Sequence, residues 1–181
     1  MKTLHTERLT IRPFSEDDAA FILELVNDAD WLRFIGDKNL HSLEDARRYL
    51  REGPMAMVAQ HGHGLACVER PNHGVASGVA SDVAISEKIG MCGLIKRATL
   101  DDIDLGFAFL PAGRGQGHAR EAALAVLKFG FGELALKRIV AITDPGNAAS
   151  ARVLEAAGLR FERLLPAQGE AKAQRLFAIE A

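Results

Sequence analysis

The feature that most constrains the fold of this 181-residue chain is the segment from Asp104 to Phe131. At its start, large apolar residues alternate with small or polar ones, which is typical of a strand with one bulky face. The bulky face carries Ile103, Leu105, Phe107 and Phe109, and the nearly bare face carries Asp104, Gly106 and Ala108. Beyond Pro111 the apolar spacing becomes helical from Ala119 onward. The segment is therefore a strand, a glycine-rich turn and a helix.

The turn in this segment favours an anionic ligand. A loop of small residues that leads into a helix aims backbone N–H groups and the positive end of the helix dipole at one point. A single glycine there would indicate only a tight turn, but Gly113, Gly115 and Gly117 alternate around Arg114, which adds a positive charge. The Gly-Lys-Ser/Thr of a P-loop is absent, and the third glycine of a dinucleotide fingerprint is missing.

The turn resembles the acetyl-coenzyme A loop of the GCN5-related N-acetyltransferases (GNAT superfamily). That loop reads Gln or Arg, two residues, Gly, one residue, Gly or Ala, which the segment 114–119 matches. The similarity extends to 6–13, 104–107, 121–122, 147–150 and 153–159, and so covers nearly the whole chain. Together these stretches resemble the RimJ/RimL-like branch, which acetylates the N-termini of ribosomal proteins.

This resemblance implies a fold and a reaction. The fold is a single α/β (α+β) domain over residues 1–181, with a mostly antiparallel twisted sheet flanked by helices and split at the cofactor cleft. The reaction is transfer of an acetyl group from acetyl-CoA, the co-substrate, to a primary amine such as a protein N-terminus, by direct attack. The alternatives are acetylation of a small amine (an antibiotic or a polyamine) and a non-catalytic acyl-CoA-binding regulatory module. Either a monomer or a homodimer is compatible with the sequence.

The resemblance also assigns residues to the cofactor. Backbone groups of Phe109 and Leu110 are expected to pair with the pantetheine arm, and Asn147 to contact it. The remaining expected contacts come from the phosphate loop, and they are Arg114, Gly115, Gln116, Gly117, His118 and Ala119. His118 stands where the branch usually has tyrosine, and because histidine titrates near neutrality, it predicts a pH-dependent affinity for the cofactor.

Two residues are expected to be catalytic. Ser150 matches the serine that protonates or hydrogen-bonds the leaving thiolate in the resembling branch, although it is also compatible with a plain first-turn helix residue. Asp104 stands where the family often has a glutamate that takes the amine proton, and its alternative is a solvated acid at a strand end. Trp31 and Phe34 lie in a region that borders the acceptor in the family, and they are expected either to line the substrate pocket or to belong to the core.

Composition excludes several other classes of protein. A net charge of −2 gives no basic surplus for nucleic acid, and no apolar run is long enough to span a membrane. Cys67 and Cys92 form no CxxC and indicate reduced core thiols, so we expect a cytoplasmic protein. His61 and His63 lack further ligands in a metal-binding pattern, and we expect no metal.

Local patterns predict the remaining elements. Leu4 to Arg12 reads as one strand, and Met55 to Gln60 and Leu65 to Glu69 read as a hairpin that turns at residues 61–64. Residues 31–36 are apolar without a clear period. The small residues of 71–88 predict a mobile loop.

Overall fold

The computed structural model describes residues 1–71, 86–167 and 172–181. Its described strands form one sheet with the order β1-β2-β3-β4-β5-β6-β8-β7. The strands are β1 Leu4–His5, β2 Thr10–Pro13, β3 Leu65–Pro71, β4 Ser86–Ile95, β5 Ile103–Phe109, β6 Arg138–Thr143, β7 Arg160–Leu165 and β8 Gln174–Glu180. All neighbouring pairs are antiparallel except β5 and β6, which are parallel. The predicted mostly antiparallel sheet is confirmed.

Helices flank this sheet. They are α1 Ala19–Val26, α2 Ala29–Phe34, α3 Leu43–Leu50, α4 Ala56–His61, α5 His118–Gly132 and α6 Ala148–Ala156. Side-chain caps define three of the starts, since the Asp28 carboxylate accepts from the Asp30 N–H, the Ser42 hydroxyl from the Asp45 N–H and the Asn147 side chain from the Ser150 N–H. No described helix is both long and apolar enough to cross a bilayer.

The two faces of β5 pack into different parts of the core. Leu105 and Phe109, from the bulky face, are buried in one apolar cluster with residues of α5 such as Val126. Ala108, from the opposite face, packs against a second cluster that contains Leu50 and Met91. The alternation read from the sequence therefore separates two layers of packing, one on each side of the sheet.

The sheet splits between β5 and β6. These two strands pair only at Ile103 with Ile139 and at Asp104 with Val140, and they diverge beyond that point. The Ile142 N–H, which lies past the split, donates to Oδ1 of Asp104 at 3.2 Å instead of to a strand. An acidic side chain thus replaces a missing ladder bond at the apex of the cleft.

Two local predictions were wrong or incomplete. Of the predicted hairpin, the strand Leu65 to Glu69 is confirmed as part of β3, but the strand Met55 to Gln60 is wrong. In its place a π-type turn, Arg51–Met55, leads from α3 into α4, which Gly62 ends with φ of 73°. No residue of α4 is buried, so its apolar run does not form a strand face, and its Met and Ala residues favour a helix. The segment 31–36 is largely helical as part of α2.

Strand ends also differ from expectation. The predicted first strand is divided into β1 and β2 by a turn in which the Thr6 N–H donates to the Leu9 carbonyl at 2.9 Å. The predicted mobile loop 71–88 mostly lies outside the described residues, but Pro71 belongs to β3 and 86–88 belong to β4. Cys67 and Cys92 are free and buried, and burial raises the pKa of both thiols to about 12.

Candidate active site

The glycine-rich turn forms a loop that closes on the N-terminus of α5. Gly115 and Gly117 have φ values of 72° and 81°, a region that other residues rarely adopt. A Cβ on Gly113 would come within 2.9 Å of the Ile89 carbonyl oxygen, so glycine also allows the loop to lie close to β4. The local sequence therefore determines the loop shape.

The loop leaves a row of backbone donors free. None of the N–H groups of residues 115–120 donates to an acceptor within the described parts of the chain. The first three of α5, His118 to Arg120, also carry the positive end of the dipole of a 15-residue helix. Such an arrangement fits a phosphate or pyrophosphate group.

Arg114 does not lie over these free amides. Its guanidinium contacts Asp28, donates to Asp30 at 2.8 Å and donates through Nε to the Phe109 carbonyl at 2.8 Å. Burial raises the pKa of Asp28, but the hydrogen bond and charge of Arg114 outweigh it and hold that pKa below its ordinary value. Arg114 thus ties the loop to α2, and its predicted contact with the cofactor stays a prediction.

Backbone groups of β5 face the cleft at alternate residues. The Leu110 N–H donates to the Ile89 carbonyl at 2.9 Å, which makes Gly90 and Phe109 a non-hydrogen-bonded pair. The N–H and carbonyl of Phe109 therefore point away from β4, towards the side from which β6 has diverged. The Phe109 N–H is oriented as the pantetheine prediction requires, whereas the Phe109 carbonyl already accepts from Arg114 and the Leu110 N–H already has a partner in β4.

Asp104 is buried at the apex of the split, with only 1% of its surface exposed. Its Oδ2 accepts from Nε of Arg97 at 2.5 Å, and its Oδ1 accepts from the Ile142 N–H. Burial raises the pKa of this carboxyl, although Arg97 and the Ile142 N–H act in the opposite direction. The alternative of a solvated strand-end acid was wrong, and the role of base stays a prediction.

Asn147 and Ser150 begin α6 at the other wall of the cleft. Oδ1 of Asn147 accepts from the Ser150 N–H at 3.0 Å, so the asparagine is the helix N-cap. Both side chains line the cleft. The Ser150 hydroxyl has no partner among the described residues, which leaves it available to a ligand; its catalytic role stays a prediction.

Trp31 and Phe34 lie in the part of the cleft lined by α2. Trp31 is 5% exposed, and its indole N–H has no hydrogen-bond partner in the described structure. Phe34 is half-buried and lies under the Arg33 guanidinium at 4.7 Å. Trp31 is a core residue that also lines the cleft, and its contact with a substrate stays a prediction.

The three remaining loop residues behave differently from one another. His118 is buried, lines the cleft and donates from Nδ1 to the Gly113 carbonyl at 3.3 Å, while the neighbouring Ala119 also lines the cleft. The Gln116 side chain turns back onto the loop and donates to the Ala112 carbonyl at 2.9 Å. A pH-dependent affinity through His118 stays a prediction.

These parts surround one cleft of about 740 Å³, a volume within the usual range for small-molecule sites. It extends from the loop and α6, along β5, to α2 and α3. Residues 8–160 match the model of the acetyltransferase (GNAT) domain. The chain belongs to the GNAT acetyltransferase family.

Relatives and solved structures support this family assignment. The uncharacterized N-acetyltransferase YnaD of Bacillus subtilis is 26% identical over 169 residues, covering 91% of this chain and 89% of that protein. The crystal structure of a GNAT-family acetyltransferase from Bacillus anthracis superposes with a TM-score of 0.74 at 26% identity, covering 98% of each chain. The ribosomal-protein-S5-alanine acetyltransferase of Vibrio fischeri shares the fold, with a TM-score of 0.72 at 20% identity over 98% of this chain and 96% of that chain.

Sequence reasoning missed part of the wall of this GNAT cleft. Tyr49 and Arg97 both line it, although they lie in α3 and after β4. Burial raises the pKa of Tyr49, and the charge of Arg97 partly opposes that effect. No local pattern could have indicated either residue, because their positions depend on how α3 and β4 pack around β5.

The charges of the cleft are largely compensated. Asp28 and Asp30 pair with Arg114, and Asp104 pairs with Arg97. The fourth acid of the lining, Asp144, accepts from the Gly146 N–H at 2.8 Å. The lining described here therefore lacks a cluster of unpaired carboxylates of the kind that would attract a polycation.

Proposed function

We propose that this GNAT acetyltransferase moves an acetyl group from acetyl-CoA to a primary amine, with a protein N-terminal amine as the favoured acceptor. The observation that supports this most is the continuity of the cleft. Gly115 and residues 117–120, whose amides are free, line the same space as Phe109, the buried Asp104 and Ser150.

Each part of acetyl-CoA finds a chemical counterpart there. The pyrophosphate fits the free amides at the start of α5, because an anion satisfies several donors at once. A carbonyl of the pantetheine arm fits the outward-facing N–H of Phe109, whose own carbonyl already accepts from Nε of Arg114, and Asn147 lies across the cleft. No metal is needed to bind this co-substrate in the proposal.

The reaction proceeds by direct attack. The lone pair of the neutral amine attacks the thioester carbonyl, a C–N bond forms and the C–S bond breaks. The amine loses its proton to Asp104, directly or through water, and Ser150 gives a proton to the departing thiolate and regains one from solvent. An N-terminal amine suits this scheme because its pKa of about 8 leaves a larger neutral fraction than the ~10.4 of lysine.

The acceptor side of the cleft favours a peptide whose first side chains are uncharged over a polyamine. Its acids are paired, as described above, and several of its lining side chains are apolar: Trp31, Phe34, Ile35, Pro54 and Met57. The buried indole N–H of Trp31 lacks a partner, and such a group is costly unless a ligand supplies an acceptor. A peptide carbonyl next to the attacking amine would supply that acceptor.

The test is acetyl-CoA-dependent thiol release with four groups of acceptors: N-terminal peptides, lysine peptides, polyamines and aminoglycosides. We expect release with N-terminal peptides, and most with those whose first side chains are uncharged. Release with polyamines or aminoglycosides alone would overturn the acceptor assignment. Binding of acetyl-CoA without release in any group, together with no effect of Ser150→Ala on the slow hydrolysis of acetyl-CoA, would favour a regulatory module instead.

A further inference from the structure

The turn between β1 and β2 reaches across the molecule to the phosphate loop. Arg8 donates from Nε to Oε2 of Glu121 at 2.7 Å, and its backbone N–H donates to Oε1 of the same carboxylate at 3.0 Å. The Thr6 hydroxyl donates to that Oε1 at 2.6 Å. Glu121 lies in the first turn of α5, so three donors from the β1–β2 turn hold its side chain.

Arg8 has a second contact, and it is with the loop itself. Nη1 of Arg8 donates to the Gln116 carbonyl at 2.9 Å. In a trans peptide the carbonyl and the following N–H point in opposite directions, and no peptide bond of the described chain is cis. Because the Gln116 carbonyl points to Arg8, the Gly117 N–H points away from Arg8.

That direction leads towards the cleft. Gly115, Gly117 and His118 line the cleft, whereas Arg8 and Gln116 do not. Arg8 therefore lies behind the loop and favours the orientation of the Gln116–Gly117 peptide in which the Gly117 N–H points away from Arg8, towards the cleft. Glycine at 117 would otherwise allow this peptide to rotate easily, since glycine tolerates many backbone conformations.

Arg8 also removes an electrostatic obstacle. An unpaired Glu121 carboxylate, in the first turn of α5, would repel a phosphate at the start of that helix. Nη2 of Arg8 lies 2.6 Å from Oε2 of Glu121, and this pairing compensates the charge. The hydrogen bonds and charge of the cluster outweigh the effect of burial and hold the pKa of Glu121 below its ordinary value.

We propose that Arg8 is a positioning residue for the pyrophosphate of acetyl-CoA: it orients the Gln116–Gly117 peptide and neutralises Glu121 without touching the ligand. The inference rests on the proposed function, because it concerns the same loop. It differs from the usual role of an arginine near phosphates, in which the guanidinium itself binds the anion. Here the side chain is on the outer side of the loop.

The test compares Arg8→Lys with Arg70→Lys by direct binding. Lysine keeps the positive charge at position 8 but cannot hold Glu121 and the Gln116 carbonyl together in the planar geometry of a guanidinium. Arg70 is the matched control, since it pairs with Glu87 and contacts Gln116 at the side-chain Oε1, at 3.2 Å, and not at the backbone carbonyl. We expect Arg8→Lys to raise the Kd for acetyl-CoA about tenfold, as for one lost charge-assisted hydrogen bond, and Arg70→Lys to change it less than about twofold.

A second ligand distinguishes a positioning role of Arg8 at the pyrophosphate from a general structural defect of the variant. Acetyl-pantetheine has the thioester and the arm but no pyrophosphate, so its Kd should be the same for the wild type and Arg8→Lys. The double variant Arg8→Met with Glu121→Gln removes both charges and the loop contact. It should likewise lose affinity for acetyl-CoA but not for acetyl-pantetheine. An unchanged Kd for acetyl-CoA in a folded Arg8 variant, or equal losses for both ligands, would overturn the inference.

The outcomes also distinguish this inference from the proposed function. Wild-type protein that does not bind acetyl-CoA would overturn both. Wild-type protein that binds acetyl-CoA, with an Arg8→Lys variant that binds it equally well, would overturn the inference alone. If Arg8→Lys loses affinity for acetyl-CoA alone and the wild type transfers no acetyl group, the inference is supported and the proposed reaction is overturned.

Discussion

The Asp104 side chain has a structural role at the split and a proposed chemical role as a base. One oxygen accepts from the Ile142 N–H at the split, and the other pairs with Arg97. Burial disfavours the charged form of Asp104 and raises its pKa, whereas Arg97 favours the charged form. The proton affinity of this carboxylate therefore depends on both burial and Arg97. This is the kind of site where a carboxylate can exchange a proton with a substrate.

We expect Asp104→Asn to separate these two roles. The amide oxygen of asparagine can still accept from the Ile142 N–H, so the split should persist, while the base is lost. Thiol release with a productive acceptor should fall by roughly 100-fold, as for loss of a general base, with the Kd for acetyl-CoA changed less than about twofold. Asp102→Asn is the control, because Asp102 pairs with Arg138 outside the cleft. An unchanged rate in Asp104→Asn would leave only the structural role.

Ser150 offers a cleaner test, because its backbone and its hydroxyl have separate tasks. The Asn147 cap binds the N–H of residue 150, which alanine retains. Ser150→Ala should therefore keep the free energy of unfolding within about 0.5 kcal/mol and lower the rate of thiol release by roughly tenfold or more. Ser42→Ala should do the opposite and lose about 1 kcal/mol of stability at normal activity, since the Ser42 hydroxyl caps α3. Unchanged turnover in Ser150→Ala would remove the acid role.

At the scale of elements, an ionic network around the buried Asp18 joins strands β2, β3 and β4 to the start of α1. Asp18 is 1% exposed, accepts from Nη1 and Nη2 of Arg12 at 2.8 Å each, and lies 2.7 Å from Nζ of Lys88. Arg12 in β2 also donates to Glu69 in β3 at 2.6 Å. Burial raises the pKa of Asp18, but the hydrogen bonds from Arg12, Lys88 and the Ser15 N–H outweigh it, and the pKa lies well below its ordinary value.

This network predicts a loss of stability in acid. A carboxyl whose pKa is lower in the folded state stabilises the protein above its unfolded pKa, near 4, and that stabilisation is lost as the pH falls towards the folded pKa. Urea unfolding at pH 7 should show Asp18→Asn less stable than the wild type by about 3 kcal/mol, with a smaller difference at pH 3. Asp45→Asn, which removes a surface ion pair with Arg48, should have a much smaller effect at pH 7. A pH-independent difference for Asp18→Asn would contradict this account.

At the scale of the whole molecule, the split divides the sheet into two halves that share little hydrogen bonding. Strands β1 to β5 form one half and β6 to β8 the other, and only two residue pairs join β5 to β6. The cleft between them is lined from both halves, by the loop before α5 and by the start of α6. A ligand in this cleft would therefore contact both halves at once.

Acetyl-CoA should then stabilise the molecule across the split. At a concentration of 100 times its Kd, mass action adds about 2.7 kcal/mol, which corresponds to a rise in Tm of roughly 5 to 10 °C. Hydrogen exchange should slow in the loop 113–117 and also at the start of α6. Protection confined to the loop and α5, with α6 unchanged, would contradict a ligand that contacts both walls.

The sequence by itself determined the centre of the molecule. The strand from Ile103, the turn and the helix α5 were predicted because their signals are local: alternation for the strand, glycines for positive φ, and a helical apolar spacing afterwards. The Asn147 cap belongs to the same class, since it depends on residues only three apart. Local rules failed at 55–61, because a short apolar run is compatible with either a strand or a helix until its packing is known.

Only the tertiary structure decided what surrounds that centre. The Arg8 and Glu121 contacts join residues 113 positions apart, and the Arg114 contact with Asp28 joins residues 86 apart. Sequence reasoning did not predict that the charge of Arg114 pairs with Asp28 and Asp30 at the start of α2, and its contact with the phosphates stays a prediction. Ion pairs between distant elements depend on how those elements pack, and a single sequence gives no distance between them. The local sequence therefore determined which backbone amides are free, and tertiary packing determined which charged side chains lie near them.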